Sequence, residues 1–211
     1  MKPLSTDALL VIDMQNDFCP GGALAVAEGD LIVPVINRLG ARFDHIVLTA
    51  DWHPADHISF ASAHPGKQPF EMMEAPYGPQ TLWPEHCLQQ SKGSELHPEL
   101  DLPHAELILR KGFRREIDSY SAFLENDHAT PTGLAGYLRE RGLTRLFFCG
   151  LAYDFCVRYS AIDGTALGFE CLVIEDASRP VDLPGSVDAT HAAFAEASVK
   201  RVFSGQIDGR F

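Results

Sequence analysis

Four apolar, strand-like runs in this chain each end at, or shortly before, a residue that can take part in chemistry. They are Leu9 to Ile12 before Asp13, Ile46 to Ala50 before Asp51, Leu107 to Arg110 before Lys111, and Leu146 to Cys149 upstream of Cys156. In an open parallel sheet the ligand crevice lies outside the carboxyl ends of the strands, so residues distant in sequence meet there. We therefore expect an acid, an amine, a thiol and a candidate metal ligand to share one cleft.

Cys156 is the candidate nucleophile of this group. It lies in the predicted first turn of a helix that begins near Asp154 and places Phe155, Tyr159, Ile162, Ala166 and Phe169 on one face. The positive end of that helix and the Lys111 cation would lower the pKa of the thiol from about 8.5 toward neutrality. Asp13 would accept the thiol proton and later protonate the leaving group. Unpaired amides at the strand-to-helix junction could bind an oxyanion.

Each of these three residues also has an ordinary structural explanation when taken alone. A free cysteine such as Cys156 is usually buried packing, Asp13 could form a turn, and Lys111 could be a solvated strand end. Their shared position at strand ends favours a joint catalytic role. A phosphatase-type loop is disfavoured because Ile162, and not arginine, stands six positions after Cys156. A papain-like pair lacks a histidine at a predicted strand end.

A second group has the spacing of a metal site. Asp51 and His53 leave the second predicted strand two residues apart, so their side chains would point the same way. His86 is the best third ligand, and an Asp, His, His set with open positions is typical of catalytic metal sites. Zinc, iron(II) and manganese all suit these donors. His57 is a candidate fourth ligand or supporting residue, although many of the nine histidines need no function.

Composition excludes several classes of protein. The 211 residues, 45% of them hydrophobic, are enough for one core, and we expect a single domain over residues 1–211. The net charge of -12 and the absence of a basic run argue against nucleic acid as a partner. We expect neither a membrane span nor a cleaved signal. Five scattered cysteines argue against a disulfide framework and favour a reducing cytoplasm.

Strand-like and helical patterns alternate along the whole chain, which predicts an α/β fold with a parallel sheet covered on both faces. The predicted strands are Ala8 to Asp13, His45 to Ala50, Leu107 to Lys111, Arg145 to Gly150, Cys171 to Glu175 and Lys200 to Phe203. One further helix is predicted after an Asp30 cap, with Leu31, Val35 and Leu39 on its buried face, and another from about Thr132 to Arg141.

The stretch from Pro54 to Pro103 is crowded with Pro, Gly and His and shows no sustained period. A long irregular segment inside a compact domain is usually functional or disordered. We interpret it as a structured excursion around the active site, carrying metal ligands over about residues 51–103. Within it, Trp83 could form a flat aromatic slot with Phe18, although such side chains are more often plain core.

Six motifs in order resemble the nicotinamidases of the isochorismatase-like cysteine hydrolase superfamily. They are Val11-Ile12-Asp13-Met14-Gln15-Asn16-Asp17-Phe18, Asp51-Trp52-His53-Pro54 with His57-Ile58-Ser59-Phe60, Trp83-Pro84-x-His86-Cys87, Lys111-Gly112, Asp118-Ser119-Tyr120-Ser121-Ala122-Phe123, and Gly150-Leu151-Ala152-x-Asp154-x-Cys156-Val157. The resemblance runs nearly end to end. It implies a three-layer, doubly wound, mostly parallel six-stranded sheet with helices on both faces.

The resemblance also implies roles for individual residues. The catalytic triad is matched by Asp13, Lys111 and Cys156. The metal ligands are matched by Asp51, His53 and His86, and some members add a ligand at the position of His57. The substrate pocket is matched by Phe18, Trp83 and Tyr120, and the oxyanion hole by the amides of Ala152 and Cys156. The Leu151-Ala152 peptide is cis in relatives. One divalent ion, zinc before iron or manganese, would hold the pyridine nitrogen and aim the carboxamide at the sulfur.

The activity implied is hydrolysis of nicotinamide to nicotinate and ammonia through a thioester, in NAD salvage, with pyrazinamide as an expected second substrate. Self-association occurs among relatives. Tyr153 departs from the common threonine, so we expect a narrower acyl pocket. Two alternatives stay open: an isochorismatase-like hydrolase of another small amide or carbamoyl substrate, which generally lacks the metal site, and a non-catalytic metal-binding protein on the same scaffold.

Overall fold

A computed structural model describes residues 1–207 of the chain. Its main sheet contains six strands, all paired in parallel. They are β1 (Asp7–Ile12), β2 (His45–Asp51), β5 (Leu107–Lys111), β6 (Arg145–Leu151), β7 (Glu170–Arg179) and β8 (Lys200–Val202). The spatial order is β5-β2-β1-β6-β7-β8. All six predicted strands are therefore confirmed, although β7 extends four residues beyond the predicted end.

The strands alternate their side chains between two buried apolar layers, because successive residues of a strand face opposite sides of the sheet. On β1, Leu9 and Val11 join one layer, whereas Leu10 and Ile12 join the other. Helix α1 (Val33–Gly40) covers the first layer. The second is covered by α2 (Leu134–Glu140), α3 (Arg158–Ala166) and α4 (Ser186–Glu196). This arrangement confirms the predicted α/β fold with helices on both faces.

The chain order reverses between β1 and β6, the two central strands. From β1 the chain continues to β2 on one side, whereas β6 leads to β7 and β8 on the other. Such a switch point opens a crevice at the carboxyl ends of the strands. Gly150, at the end of β6, has a φ of +111°, and a Cβ there would lie 2.1 Å from the Ile12 carbonyl oxygen. The two strands can therefore approach closely at the crevice.

The predicted apolar face of α1 is confirmed only in part, because Leu39 is buried and Val35 packs against the core but Leu31 does not. In α1 the buried residues include Ile36 and Leu39, whereas Leu31 is 59% exposed. A 3-10 turn (Asp30–Ile32) precedes α1, so the helical period begins later than the sequence suggests, and Asp30 makes no side-chain cap. Because the helix starts at Val33, its phase is rotated relative to the prediction.

In α3 the buried positions are the small residues Ser160, Ala161 and Gly164, and not the large apolar ones. A Cβ on Gly164 would lie 2.8 Å from Cys171 Sγ, so the helix packs against the sheet where little space is left. Phe155 lines the crevice, and the Tyr159 ring packs against Tyr120 with centroids 5.3 Å apart. Cys156 itself lies in a π-helical turn (Tyr153–Val157) that precedes α3, and not in an α-helical first turn.

The excursion is structured, as predicted, but it is more regular than its sequence suggests. It contains a two-stranded antiparallel sheet, β3 (Met72–Ala75) and β4 (Gly78–Thr81), which is separate from the main sheet. The sequence analysis also missed α4, whose buried residues are only Thr190 and Phe194. Over residues 1–207, no helix combines the length and apolarity required to cross a bilayer.

Candidate active site

Asp13 lies directly after β1 and is fully buried. Its backbone has a φ of 48°, a left-handed conformation that aspartate tolerates better than most residues. The Thr49 hydroxyl donates to Asp13 Oδ1 at 2.6 Å and accepts from the Asp13 amide at 3.1 Å. Thr49 therefore holds one carboxylate oxygen, and the other, Oδ2, lies 2.8 Å from Lys111 Nζ.

Lys111 ends β5 and is completely buried. Its ammonium nitrogen contacts Asp13, Asp51 Oδ1, the Ser119 carbonyl oxygen at 2.9 Å and Cys156 Sγ at 3.4 Å. Burial alone would lower the pKa of Lys111, but Asp13 and then Asp51 outweigh burial and hold that pKa well above its ordinary value. The group is therefore an ammonium ion that links two carboxylates to the sulfur.

Cys156 is 7% exposed. Ligand atoms of Asp13, Asp51 and Cys156 lie within 4.8 Å of one another. Burial raises the pKa of the Cys156 thiol well above its ordinary value, and Lys111 opposes this only in part because both carboxylates add to it. The expectation of a lowered thiol pKa is wrong, since the sequence did not show how deeply the sulfur is buried. The resting sulfur carries its proton and needs a base.

Asp13 is suited to take that proton. Burial raises its pKa to about 6, with Lys111 opposing the rise and Asp51 adding to it. A carboxyl group with a pKa near the working pH can both accept and return a proton efficiently. The structure thus brings the three predicted triad residues into one buried cluster.

The π-helical turn carries Cys156, and Ala152 directly precedes the turn. The Ala152 carbonyl accepts from the Phe155 and Val157 amides, both at 3.1 Å. The Leu151-Ala152 peptide bond is cis, as the resemblance implied. Ala152 and Cys156 both line the same pocket. Single π-helical turns recur at functional sites.

Three buried side chains converge in the arrangement of a metal site. Asp51 Oδ2 lies 3.6 Å from His53 Nε2 and 3.8 Å from His86 Nε2. The Nδ1 atoms of the two histidines lie 2.8 Å from the carbonyl oxygens of Gly112 and Pro84, respectively, and donate to them. Both Nε2 lone pairs therefore face the carboxylate. Two imidazole nitrogens and one carboxylate oxygen in this geometry fit a divalent ion.

The charge states of these groups also suit a cation. Burial lowers the pKa of His86 to about 4, so its ring is neutral. Burial would raise the pKa of Asp51, but Lys111 and then His53 hold it well below its usual range. Gln15 fixes the Asp51 backbone, accepting from its amide at 2.7 Å and donating to its carbonyl at 2.8 Å.

Gly112 is required beside the cluster. A Cβ there would lie 2.3 Å from the His53 ring, and its φ is +65°.

His57, the candidate fourth ligand, lies to one side. Its Nδ1 pairs with Ser59 Oγ at 2.7 Å and its Nε2 with the Ile117 carbonyl at 3.2 Å. It groups with His53 and Asp118, and not with Asp51 and His86.

The sulfur and the metal cluster open onto one pocket. Its lining consists of Phe18, Leu24, Asp51, His53, Trp83, His86, Asp118, Tyr120, Ala152, Phe155, Cys156 and Val181. The predicted Phe18, Trp83 and Tyr120 are all present. Sequence reasoning missed Leu24, Asp118, Phe155 and Val181 as pocket residues, although Asp118 stands in one of the quoted motifs.

The expectation that Tyr153 narrows the pocket is wrong. Its ring packs edge-on against Phe194 of α4, with centroids 5.7 Å apart, and its hydroxyl donates to Glu175 Oε1 at 3.2 Å. These contacts place the side chain between the turn and α4, whereas the pocket is lined by its neighbour Ala152. This part of the chain therefore presents Ala152, Phe155 and Cys156 to the pocket and Tyr153 to the helix layer.

Known proteins share this fold and sequence over almost the whole chain. A nicotinamidase of Acinetobacter baylyi is 54% identical over 207 residues, covering 98% of this chain and 97% of that protein. A solved nicotinamidase and pyrazinamidase of Acinetobacter baumanii superposes with a TM-score of 0.96 at 52% identity, covering 97% of this chain and 99% of the other.

A pyrazinamidase of Pyrococcus horikoshii, solved in complex with zinc, has a TM-score of 0.76 at 35% identity over 94% of this chain and 99% of its own. The sequence profile of the Isochorismatase domain matches residues 7–207. With this match and these relatives added to the parallel sheet and the buried thiol site, the chain belongs to the isochorismatase family.

Proposed function

We propose that this chain is a metal-dependent cysteine amidohydrolase that converts nicotinamide to nicotinate and ammonia, and that it accepts pyrazinamide as well. One observation carries the proposal: the Cys156 sulfur and the Asp51, His53, His86 cluster line one small pocket with aromatic walls, and Asp13 and Lys111 lie buried beside the sulfur. A planar ring amide suits such a pocket. The relatives named nicotinamidase support the choice of substrate.

In the proposed reaction the Cys156 proton passes to Asp13 as the sulfur attacks the carboxamide carbon. Lys111 stabilises the thiolate, because its ammonium lies 3.4 Å from the sulfur. The oxygen of the tetrahedral adduct becomes negative and binds the amides of Ala152 and Cys156. Asp13 then returns the proton to the nitrogen, the C–N bond breaks and ammonia leaves.

The thioester that remains is resolved by water. Asp13, again a carboxylate, takes a proton from the water as its oxygen attacks the thioester carbon, and collapse of the second adduct breaks the C–S bond. The departing sulfur recovers a proton from Asp13, and nicotinate is released. Phe18, Trp83 and Tyr120 would hold the ring throughout.

Asp51, His53 and His86 would hold one divalent ion, and we propose zinc. Two imidazoles and a carboxylate suit zinc, and a zinc complex of the Pyrococcus horikoshii relative supports the choice. A bound ion would supply a Lewis acid for the ring nitrogen of the substrate, directly or through water. All five cysteines are free, which supports the proposal of a reducing, cytoplasmic location.

Ammonia release from nicotinamide, measured with and without a chelator, tests substrate, reaction and ion together. We expect chelation to lower kcat/KM by about 100-fold or more, since substrate orientation and Lewis-acid stabilisation are lost together. Added zinc should restore it. His53→Ala should lose the bound metal, measured by elemental analysis, whereas exposed His128→Asn should keep it. Full metal content in His53→Ala would contradict the ligand assignment.

The acid side of the pH profile should report Asp13. Since its pKa is raised to about 6 and only the carboxylate accepts the thiol proton, kcat/KM should fall about tenfold per pH unit below that value. Thr49→Val removes a hydrogen bond that stabilises the Asp13 carboxylate, so the pKa of Asp13 should rise. The fall in kcat/KM on the acid side of the profile should therefore begin about one pH unit higher. Steady-state assays from pH 4.5 to 8 measure both.

Thr190→Val is the matched control for that shift. Thr190 is also a buried threonine, and its hydroxyl donates to the Ser186 carbonyl at 2.8 Å in α4, away from the pocket. The fall in kcat/KM at acidic pH should therefore be the same in Thr190→Val as in the wild type. An unchanged profile in Thr49→Val would show that Asp13 is not the group that governs the profile.

A further inference from the structure

Gln80 reaches the active-site wall from the excursion, although it does not itself line the pocket. It lies on β4 and is fully buried. Its Nε2 lies 2.8 Å from Asp118 Oδ2, 2.9 Å from the Tyr120 hydroxyl oxygen and 2.7 Å from the Thr81 carbonyl. One amide group thus contacts two side chains that line the pocket.

The direction of the Gln80 amide is fixed from its other side. Asn126 Nδ2 and the Tyr77 hydroxyl each donate to Gln80 Oε1 at 3.1 Å. Asn126 Oδ1 in turn accepts from the Tyr120 backbone amide at 2.9 Å. Because both donors face Oε1, the NH₂ group must face Asp118 and Tyr120.

The network continues to the aromatic wall. The Tyr120 hydroxyl oxygen accepts from Trp83 Nε1 at 3.1 Å as well as from Gln80. The Trp83 ring packs edge-on against Tyr120 and against Phe155, with centroids 6.2 and 4.9 Å apart. Three pocket residues, Asp118, Tyr120 and Trp83, are therefore held directly or through one bond by the same buried amide.

We propose that Gln80 is a positioning residue that preorganises this wall for a flat aromatic ring, and that the β3–β4 hairpin serves to deliver its amide. The inference rests on the proposed function and deepens it. Without the amide, Asp118 loses a donor while still buried, and Tyr120 loses one of two bonds that fix its hydroxyl. No described contact of Gln80 reaches Cys156, Asp13 or Lys111 over residues 1–207.

The test is a split between substrate binding and chemistry. Gln80→Met keeps the length of the side chain and removes the amide. We expect its KM for nicotinamide to rise about tenfold with kcat within about threefold of the wild type. The rate of Cys156 alkylation by iodoacetamide should not change. A general structural defect would instead lower kcat and alter thiol reactivity together.

Three comparisons complete the experiment. Tyr77→Phe removes a hydroxyl that donates to Gln80 Oε1 and contacts the Asp118 backbone, but it leaves the Gln80 NH₂ group in place, so KM should stay within about twofold of the wild type. Gln80→Glu retains the acceptor, loses the donor and sets a carboxylate beside Asp118, so its KM should rise at least as far as in Gln80→Met. Wild-type ammonia release is measured first, and its absence would refute the proposed function separately from this inference.

A double variant tests whether Gln80 acts through Tyr120. If Gln80 acts through Tyr120, the KM increases of Gln80→Met and Tyr120→Phe should not multiply in the double variant. Fully multiplicative effects, or an unchanged KM in both Gln80 variants, would overturn the proposal. If both Gln80 variants fail to fold by circular dichroism, the residue is structural and the proposal is likewise rejected.

Discussion

Replacing Cys156 by alanine is expected to reduce ammonia release from nicotinamide by about 10,000-fold or more, because no other group can form the thioester. The Cys156 sulfur lines the pocket and lies in one buried group with Asp13 and Lys111. The Asp51, His53, His86 cluster does not depend on the sulfur, so bound metal should stay at the wild-type level. Ammonia assay and elemental analysis on the same preparation measure both quantities.

Cys171→Ala is the matched control for this substitution. Cys171 is another buried, free thiol, but it lies on β7 in the layer beneath α3 and outside the pocket lining. We expect its turnover to remain near the wild-type rate. Iodoacetamide should label Cys156 faster than Cys171, since only Cys156 opens onto the pocket. Retained turnover in Cys156→Ala would reject the thiol mechanism. If Cys156 of the wild-type protein reacted with iodoacetamide no faster than Cys171, a non-catalytic metal-binding protein on this scaffold would be favoured.

The central strands β1, β2 and β6 could be predicted because they are buried on both faces. A strand of a covered parallel sheet is a short, almost continuous apolar run, as in Leu9 to Ile12, and such runs are visible without knowledge of the fold. The strand ends then placed Asp13, Asp51 and Lys111 at one edge. These three residues were expected to lie together because the sheet was predicted to be parallel, and the alternation of strands and helices along the chain indicates a parallel sheet.

The buried face of α3 could not be predicted because this helix packs closely against the sheet through small residues and not through large apolar ones. In α3 the sheet-facing positions are Ser160, Ala161 and Gly164, so hydrophobicity marks the wrong side. The large apolar Phe155 of the preceding π-helical turn lines the pocket instead. A sequence pattern reports where apolar residues recur, and it does not report how much room the neighbouring layer leaves.

The electrostatics of the site likewise depend on depth. Lys111 near Cys156 suggested a lowered thiol pKa, but burial raises it, and Asp13 becomes the group with a pKa near neutrality. The partners that orient the site were also not identified as such, because Thr49 and Gln80 look like ordinary polar residues in the sequence. Their roles follow only from hydrogen bonds to Asp13, Asp118 and Tyr120.

Lys111→Met should have a large effect on both activity and stability. The substitution preserves an apolar stem of similar length and removes the one cation that contacts Asp13, Asp51 and the sulfur. Two buried carboxylates would then lack their partner, which typically costs about 3–5 kcal/mol in the free energy of unfolding. We expect activity to fall by about 1,000-fold or more, since thiolate formation and the position of Asp13 both depend on the ammonium.

The pH dependence of that loss separates charge from packing. Without Lys111, burial and Asp51 are left to raise the pKa of Asp13 further, so the folded state binds its proton more tightly than the unfolded chain does. Stability should therefore rise as the pH falls, and the deficit measured by urea unfolding of chelator-treated protein should be smaller at pH 5 than at pH 8. Exposed Lys200→Met, which removes a surface pair with Glu170, should show little deficit at either pH. Equal deficits of Lys111→Met at both pH values would mean that lost packing, and not an uncompensated carboxylate, causes the instability.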